Sequence, residues 1–200
     1  MIRSFLLPWM DAALTKVKRR RHAKLLNWRY NLVAEHIAHG RKVLDQGAGP
    51  GRIGERLAHL KDCRVRLVDV LDCNETGLPF TVYDGRRLPF ANREFDVTLL
   101  IFVLHHTLNQ EALLCEAARV SREKIIVVED TPRNRFELAV NKCCDAIGSI
   151  KPGYGNPYNY RSTDQWRRMF TSLDLILIHQ AVVKPFWPYY HTKTVFVLSP

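Results

Sequence analysis

The chain has 200 residues, 46% of them hydrophobic and 25% charged, a balance that suits one globular domain with a sizeable core and excludes a disordered or fibrous segment. The formal net charge is +10, which brings anionic partners such as nucleic acid or a lipid surface into consideration. The excess is uneven: Arg3, Lys16, Lys18, Arg19, Arg20, Arg21 and Lys24 against Asp11 give residues 1–24 a charge of +6 and leave the remainder close to neutral.

Along the chain, "AKLLNWRYNLVAEHIAHG" (23–40) reads as a helix ending at Gly40. From Arg41 to Asp130 apolar runs of strand length alternate with helical patterns, the sequence sign of βαβ units around a parallel sheet. The strands expected are 42–46, 64–70, 81–84, 96–103 and 124–130, with helices over 51–60 and 109–121, where Leu57 and Leu60, then Leu113, Ala117 and Val120, recur at helical spacing. Residues between the fifth strand and Ser162 form the least regular part, and "KPGYGNPYNYRS" (151–162) reads as a long surface loop. A helix follows over 162–173, with Ser162 and Thr163 as N-cap candidates, and "LILIHQAVV" and "TVFVLSP" read as two further strands.

The segment "KVLDQGAGPGRIGERL" (42–57) places Gly47, Gly49 and Gly51 at alternate positions between a strand and a helix. Glycine permits positive φ and lets a ligand approach the main chain, while the helix start beyond offers unpaired N–H donors. The spacing is not that of a dinucleotide fold, which needs a further glycine where Arg52 stands, nor of a P-loop, which needs Gly-Lys-Ser/Thr. Asp45-x-Gly47-x-Gly49-x-Gly51 after a strand resembles the first motif of the class I S-adenosylmethionine-dependent methyltransferases. Asp69 ends the second strand, "YDGRRLPF" (83–90) is similar to the family's third motif, and "REFDVTLLIFVLHHT" (93–107) resembles its fourth strand in the small-molecule and quinone branch.

The resemblance covers residues 41–131 and implies a Rossmann-like, doubly wound α/β fold. Its sheet has seven strands, mostly parallel with an antiparallel last strand, and helices on both faces. It divides the chain into a basic helical extension (1–40) and a methyltransferase domain (41–200) with a substrate-facing insertion at about 132–161. The cofactor implied is S-adenosyl-L-methionine, with S-adenosyl-L-homocysteine as product. Asp45 would orient the glycine loop and the methionine amino group, Asp69 would hold the ribose hydroxyls and Asp84 the adenine amino group, with Val70, Gly85 and Phe102 as further cofactor contacts. A carboxylate suits a vicinal diol because it accepts two hydrogen bonds. An Asp at a strand end can equally serve as a helix cap; the joint register of the motifs favours binding.

Methyl transfer from a sulfonium needs proximity above all, and a base only where the acceptor carries a proton. His105 and His106, just past the fourth strand, are candidate bases, and Glu129 and Asp130, ending the fifth, are candidates for acceptor contact, at the sheet edge where open α/β folds bind ligands. Asp130 is carried with the two histidines as a catalytic candidate. Tyr154, Tyr158 and Tyr160, with Tyr190 in "PFWPYYH", could line an aromatic substrate pocket.

The expected activity is methyl transfer to oxygen, nitrogen or carbon of a small molecule, amphiphilic where the basic start meets an anionic membrane. Two alternatives compete: methylation of RNA or other nucleic acid, and a non-catalytic scaffold that binds the cofactor. Against the first, Phe102, Val103, Leu104 and His105 stand where an Asn/Asp-Pro-Pro-aromatic tetrad would act on a base amine. Five cysteines without a CxxC pair or a completing His point to a reducing compartment and no metal, and hence to a cytoplasmic protein, with peripheral membrane contact only if the basic start "MIRSFLLPWMDAALTKVKRRR" docks on an anionic surface. "FLLPWM" is interrupted by Pro8 and Asp11, so neither a signal-peptide core nor a membrane span is expected.

Overall fold

The computed structural model describes residues 22–148, 158–183 and 192–200. Residues 22–34 are helical (α1), followed by β1 (Lys42–Gln46), α2 (Arg52–Lys61), β2 (Arg64–Asp69), β3 (Phe80–Val82) and β4 (Phe95–Ile101). A single 3-10 turn (Leu104–His106) leads to α3 (Gln110–Val120) and β5 (Ser121–Asp130). Then come α4 (Arg135–Gly148), α5 (Thr163–Ser172), β6 (Ile176–Val183) and β7 (Lys193–Ser199). The strands lie in the order β3-β2-β1-β4-β5-β7-β6; β7 runs antiparallel to both neighbours, and every other pairing is parallel. This is the seven-stranded Rossmann-like sheet expected.

Because both faces of the central strands are covered, their sequences are continuous apolar runs, and successive residues separate by period two onto opposite faces. Val43, Val97, Leu99, Ile126, Val128, Val195 and Val197 pack with Val33, Ile37 and Leu57 on the face of α1 and α2. Leu100, Ile125, Val127, Phe196 and Leu198 pack on the other face with Leu113, Leu114 and Ala117 of α3 and Trp166, Met169 and Phe170 of α5. Ser162 caps α5 as expected, in a capping box with Gln165 that satisfies donors on both sides of the helix start.

Two elements differ from the sequence reading. The first helix stops at residue 34 and a turn follows, with Gly40 at φ 73° just ahead of β1. Within the segment expected to be irregular, Arg135–Gly148 is an α-helix. Its amphipathicity is inverted: Phe136 is 73% exposed, whereas Glu137 and Asn141 are buried. Apolar spacing therefore does not mark the buried side of this helix.

The chain leaves β1 towards β2 and β3 on one side and returns to β4 on the other, so the sheet reverses direction between β1 and β4. Ligands of open α/β sheets bind in the crevice that this reversal opens at the carboxyl ends of the strands.

Candidate active site

The turn after β1 is built for a ligand to lie against the main chain. Gly47 has φ 72°, and a Cβ there would stand 2.6 Å from Val103 Cγ2, so only glycine lets the turn close on the segment after β4. Gly49, at φ 54°, is different: a Cβ there would meet nothing within 4 Å, so its main chain faces open space. Gly51 is the N-cap of α2, and no side chain caps that helix start. The N–H groups of Gly47 and Ala48 donate to the carbonyl of Val68 (2.8 and 3.1 Å), which ties the turn to the end of β2.

Asp69 finishes that tie. Its Oδ2 accepts from the Gly49 N–H (2.8 Å), and its Oδ1 accepts from the N–H groups of Val70 (2.7 Å) and Leu71 (3.3 Å). An ionised carboxylate has about four acceptor sites, so further donors such as ribose hydroxyls can be accommodated. Asp45 is 3% exposed, and burial pushes its carboxyl from the ordinary 3.8 up to about 7; the Gly54 N–H opposes that shift and the nearby Asp69 adds to it. By accepting from the third residue of α2, Asp45 takes over one of the helix donors left orphaned at the glycine cap.

Across the crevice, Val70 is 46% exposed, and a Cβ on Gly85 would lie 3.2 Å from Val70 Cγ1, so these two residues adjoin. Asp84 is exposed and accepts from the N–H groups of Arg86 (2.9 Å) and Arg87 (3.2 Å), which hold its carboxyl below the usual range. Gln46 is fully buried beside Tyr83, and its Nε2 reaches the phenol oxygen at 3.4 Å.

The carboxyl ends of β4 and β5 form the other wall. Phe102 adopts φ 57°; its ring stacks with Trp28 at 6.5 Å and lies 4.9 Å from the Arg29 guanidinium and 5.9 Å from Lys193 Nζ. Glu129, fully buried, receives the N–H groups of Val103 (2.9 Å) and Leu104 (2.7 Å) on one oxygen and His105 Nδ1 (2.6 Å) on the other. The His105 ring contacts the His106 ring at 4.0 Å and stacks with Tyr160 at 5.0 Å. Gln110 donates to the carbonyls of Leu104 (3.0 Å) and Asn159 (2.7 Å), and the Asn159 N–H donates to the carbonyl of His105 (3.1 Å). The segment from Tyr158 to Arg161 is thereby stitched to the turn after β4.

The two adjacent acids point to opposite faces. Glu129 joins His105, whereas Asp130 forms an ion pair with Lys193 at 3.0 Å, both side chains being almost completely buried. Burial pushes the Lys193 ammonium down, and Asp130 pulls it back up. Lys193, Arg29 and Trp28 were not anticipated from sequence. The sequence signal for Lys193 is that one cation heads the apolar run "KTVFVLS", and a cation buried there requires a partner. Tyr154 and Tyr190 lie outside the described residues. Among the described residues, no group of His, Cys, Asp and Glu could hold a metal ion.

The donor set fits a nucleoside-linked amino acid: open main chain at Gly49, a buried carboxylate beneath it, and the adjoining Val70 and Gly85 beside them. Residues 44–128 match the family model described as a methyltransferase domain. Demethylmenaquinone methyltransferase of Tropheryma whipplei (strain Twist) is 30% identical over 112 residues, covering 50% of this chain and 46% of that protein. The chain thus spans about half the length of the curated relatives it matches. Among solved structures, a chain of the complex between the Haloferax volcanii Trm112 methyltransferase activator and a methyltransferase superposes with a TM-score of 0.65 at 17% identity, over 88% of this chain and 92% of that one. Magnesium protoporphyrin IX methyltransferase from Synechocystis PCC 6803, with bound SAH, gives 0.59 at 18% identity, over 92% and 84%. These last two likenesses are of fold. Ordered motifs, sheet order and the match over residues 44–128 all support a class I S-adenosylmethionine-dependent methyltransferase domain.

Proposed function

We propose that this chain transfers the methyl group of S-adenosylmethionine to a small-molecule acceptor bound over the carboxyl ends of β4 and β5 and the amino end of β7. The observation that carries the reading is the open main chain at Gly49, backed by the Asp69 carboxylate and set beside the Phe102–Trp28 stack. When bound, the cofactor supplies a methyl carbon already activated by its sulfonium. The chain's own residues then bind and orient: Gly47, Gly49 and Gly51 shape the cradle, Asp45 fixes the start of α2, and Asp69 takes the ribose hydroxyls. Val70, Asp84 and Gly85 border the base, and Phe102 is the floor towards the acceptor. Alignment of acceptor and methyl group is worth about 7–11 kcal/mol at best, so positioning residues carry most of the work.

For an acceptor that enters protonated, the Glu129–His105 pair is the route we assign. Glu129 accepts from His105 Nδ1, which fixes the proton on that nitrogen and presents Nε2 as the basic atom. His106 and Tyr160 pack on the imidazole and hold its plane. The likeness to a demethylmenaquinone methyltransferase supports an aromatic, apolar acceptor for this half of the fold. The basic residues of the first 24 positions support docking of the full chain on an anionic membrane that carries such acceptors. No helix among the described residues is long and apolar enough to cross a membrane.

Calorimetric titration with S-adenosylhomocysteine tests the cofactor site, and methyl label from the cofactor should then enter the lipophilic extract of a cell lysate. Label in the RNA fraction instead would move the assignment to nucleic acid, and binding without any labelled fraction would move it to a cofactor-binding scaffold. Sedimentation with phosphatidylglycerol vesicles, reversed by salt, is the expected sign of membrane docking; a chain that stays in the supernatant removes that part of the reading.

A further inference from the structure

We infer that Lys193 is the specificity-determining cation of the acceptor site, holding the ionised oxygen of a planar aromatic acid or phenol against the Phe102–Trp28 stack. The inference deepens the methyltransferase reading and rests on it.

Several independent features meet at one place. Strand parity puts Val128 and Asp130 of β5, and Val195 and Val197 of β7, on the face of α1 and α2, the face that also carries Asp45 and the glycine turn. Asp130 and Lys193 are cross-strand partners at the carboxyl end of β5, so the ammonium lies buried at the sheet edge beside the crevice. Lys193 Nζ stands 5.8 Å from the Trp28 ring and 5.9 Å from the Phe102 ring, and Arg29 approaches the second ring at 4.9 Å. The stacked aromatics, with the two cations over their rings, form a cationic aromatic slot suited to a flat, negatively charged ligand. Phe102 and Trp28 are only partly buried, which leaves ring surface for that ligand. The slot adjoins the cofactor cradle, because Val103, next to Phe102, is the residue on which Gly47 closes.

A second observation comes from α4. Glu137 accepts from Thr192 Oγ1 (3.3 Å), and Cys144 is close enough to act electrostatically on Lys193, so this helix face is turned towards the start of β7. Asn141 lies between them on the same face and is 1% exposed, yet neither its Nδ2 nor its Oδ1 has a hydrogen-bond partner among the described residues. A buried amide with both functions unspent is costly unless a ligand completes it. An acidic oxygen bridging Lys193 and Asn141 would do so. A structural ion pair between β5 and β7 accounts for Asp130 and Lys193 alone, but not for the aromatic slot or the idle amide.

The test is calorimetric titration of the full chain, with S-adenosylhomocysteine present, using naphthoate and its neutral counterpart naphthylmethanol as probes. Wild type should prefer naphthoate by about tenfold or more, the scale of a hydrogen bond to a charged group. K193M should abolish that preference, K193R should retain it, and D130N, which removes the competing carboxylate, should strengthen naphthoate binding. Should K193M fail to fold, K193R and D130N carry the test by their opposite expectation from a structural pair, which predicts no gain in anion affinity from D130N. Equal or absent binding of naphthoate by wild type, or a preference that survives K193M, overturns the inference. Binding of S-adenosylhomocysteine in the same samples reads the cofactor site separately: its absence sinks the methyltransferase reading, whereas its presence without anion preference sinks this inference alone.

Discussion

Gly47 and Gly49 lie two residues apart, both at positive φ, yet alanine should affect them in different ways. At Gly47 the added methyl would stand 2.6 and 2.7 Å from the two Val103 methyls. Gly47→Ala thus meets two costs, about 1–2 kcal/mol for an L-residue in the left-handed region and about 1–3 kcal/mol for overpacking against Val103. Together they should lower stability by about 2–5 kcal/mol. At Gly49 the methyl meets nothing within 4 Å, so only the conformational cost of about 1–2 kcal/mol applies. Urea denaturation of G47A, V103A, the double variant and G49A resolves the parts. Val103→Ala should return the overpacking share, giving a coupling of about 1–3 kcal/mol between positions 47 and 103, while the conformational share persists. Calorimetry with S-adenosylhomocysteine should show the reverse ranking per unit of lost stability. G49A puts its methyl into the open space assigned to the cofactor and should lose about tenfold in affinity, worth some 1.4 kcal/mol. If the 47 and 103 substitutions add within about 0.5 kcal/mol, the turn does not close on Val103 as described. If G49A binds the product as tightly as wild type, the cradle is elsewhere.

Other expectations follow from the buried acids. Between pH 3.8 and about 7 the unfolded chain has released the Asp45 proton while the folded chain keeps it, so this group's stabilisation is full below that window and lost as pH rises through it. D45N should remove that slope and gain on wild type by up to about 4 kcal/mol across the window; a constant difference between the two proteins would contradict the burial argument. E129Q keeps one acceptor oxygen for the Val103 and Leu104 N–H groups but turns its amide N–H₂ towards His105 Nδ1, and should cost about 3 kcal/mol in urea, with loss of the downfield His105 Nδ1 proton signal. A variant that keeps both its stability and that resonance would show that Glu129 is not what holds the turn. D69N weakens the tie to Gly49 and the clasp assigned to ribose together, so S-adenosylhomocysteine affinity should fall at least about tenfold while stability drops about 1–3 kcal/mol. Unchanged affinity in D69N would remove Asp69 from the site.

What the sequence discloses and what it hides divide along a physical line. Buried parallel strands carry apolar residues on both faces, so the central strands are legible from short apolar runs such as "LVDV", "TLLIFV" and "IIVV", and the glycine spacing between β1 and α2 reports a backbone shape that few other residues allow. Helix α4 breaks the correspondence because the side it buries is polar: Glu137 and Asn141 face inward while Phe136 faces water. Lys193 is hidden for a different reason, since its partner Asp130 is brought to it by the antiparallel return of β7, a pairing that no local pattern encodes.

The adjacent acids at the end of β5 show where more could have been read. Both lie at the carboxyl edge, and treating them as one pair of candidates overlooked the period-two rule already visible in the strand. Ile125 and Val127 pack with α3 and α5, so Glu129 must turn to that side, while Ile126 and Val128 pack with α1 and α2, so Asp130 must turn to the other. Parity alone thus separates a carboxylate that can steady a histidine beyond β4 from one that can meet a cation on the cofactor face. Two neighbouring positions of one strand thus send Glu129 to His105 on one face and Asp130 to Lys193 on the other.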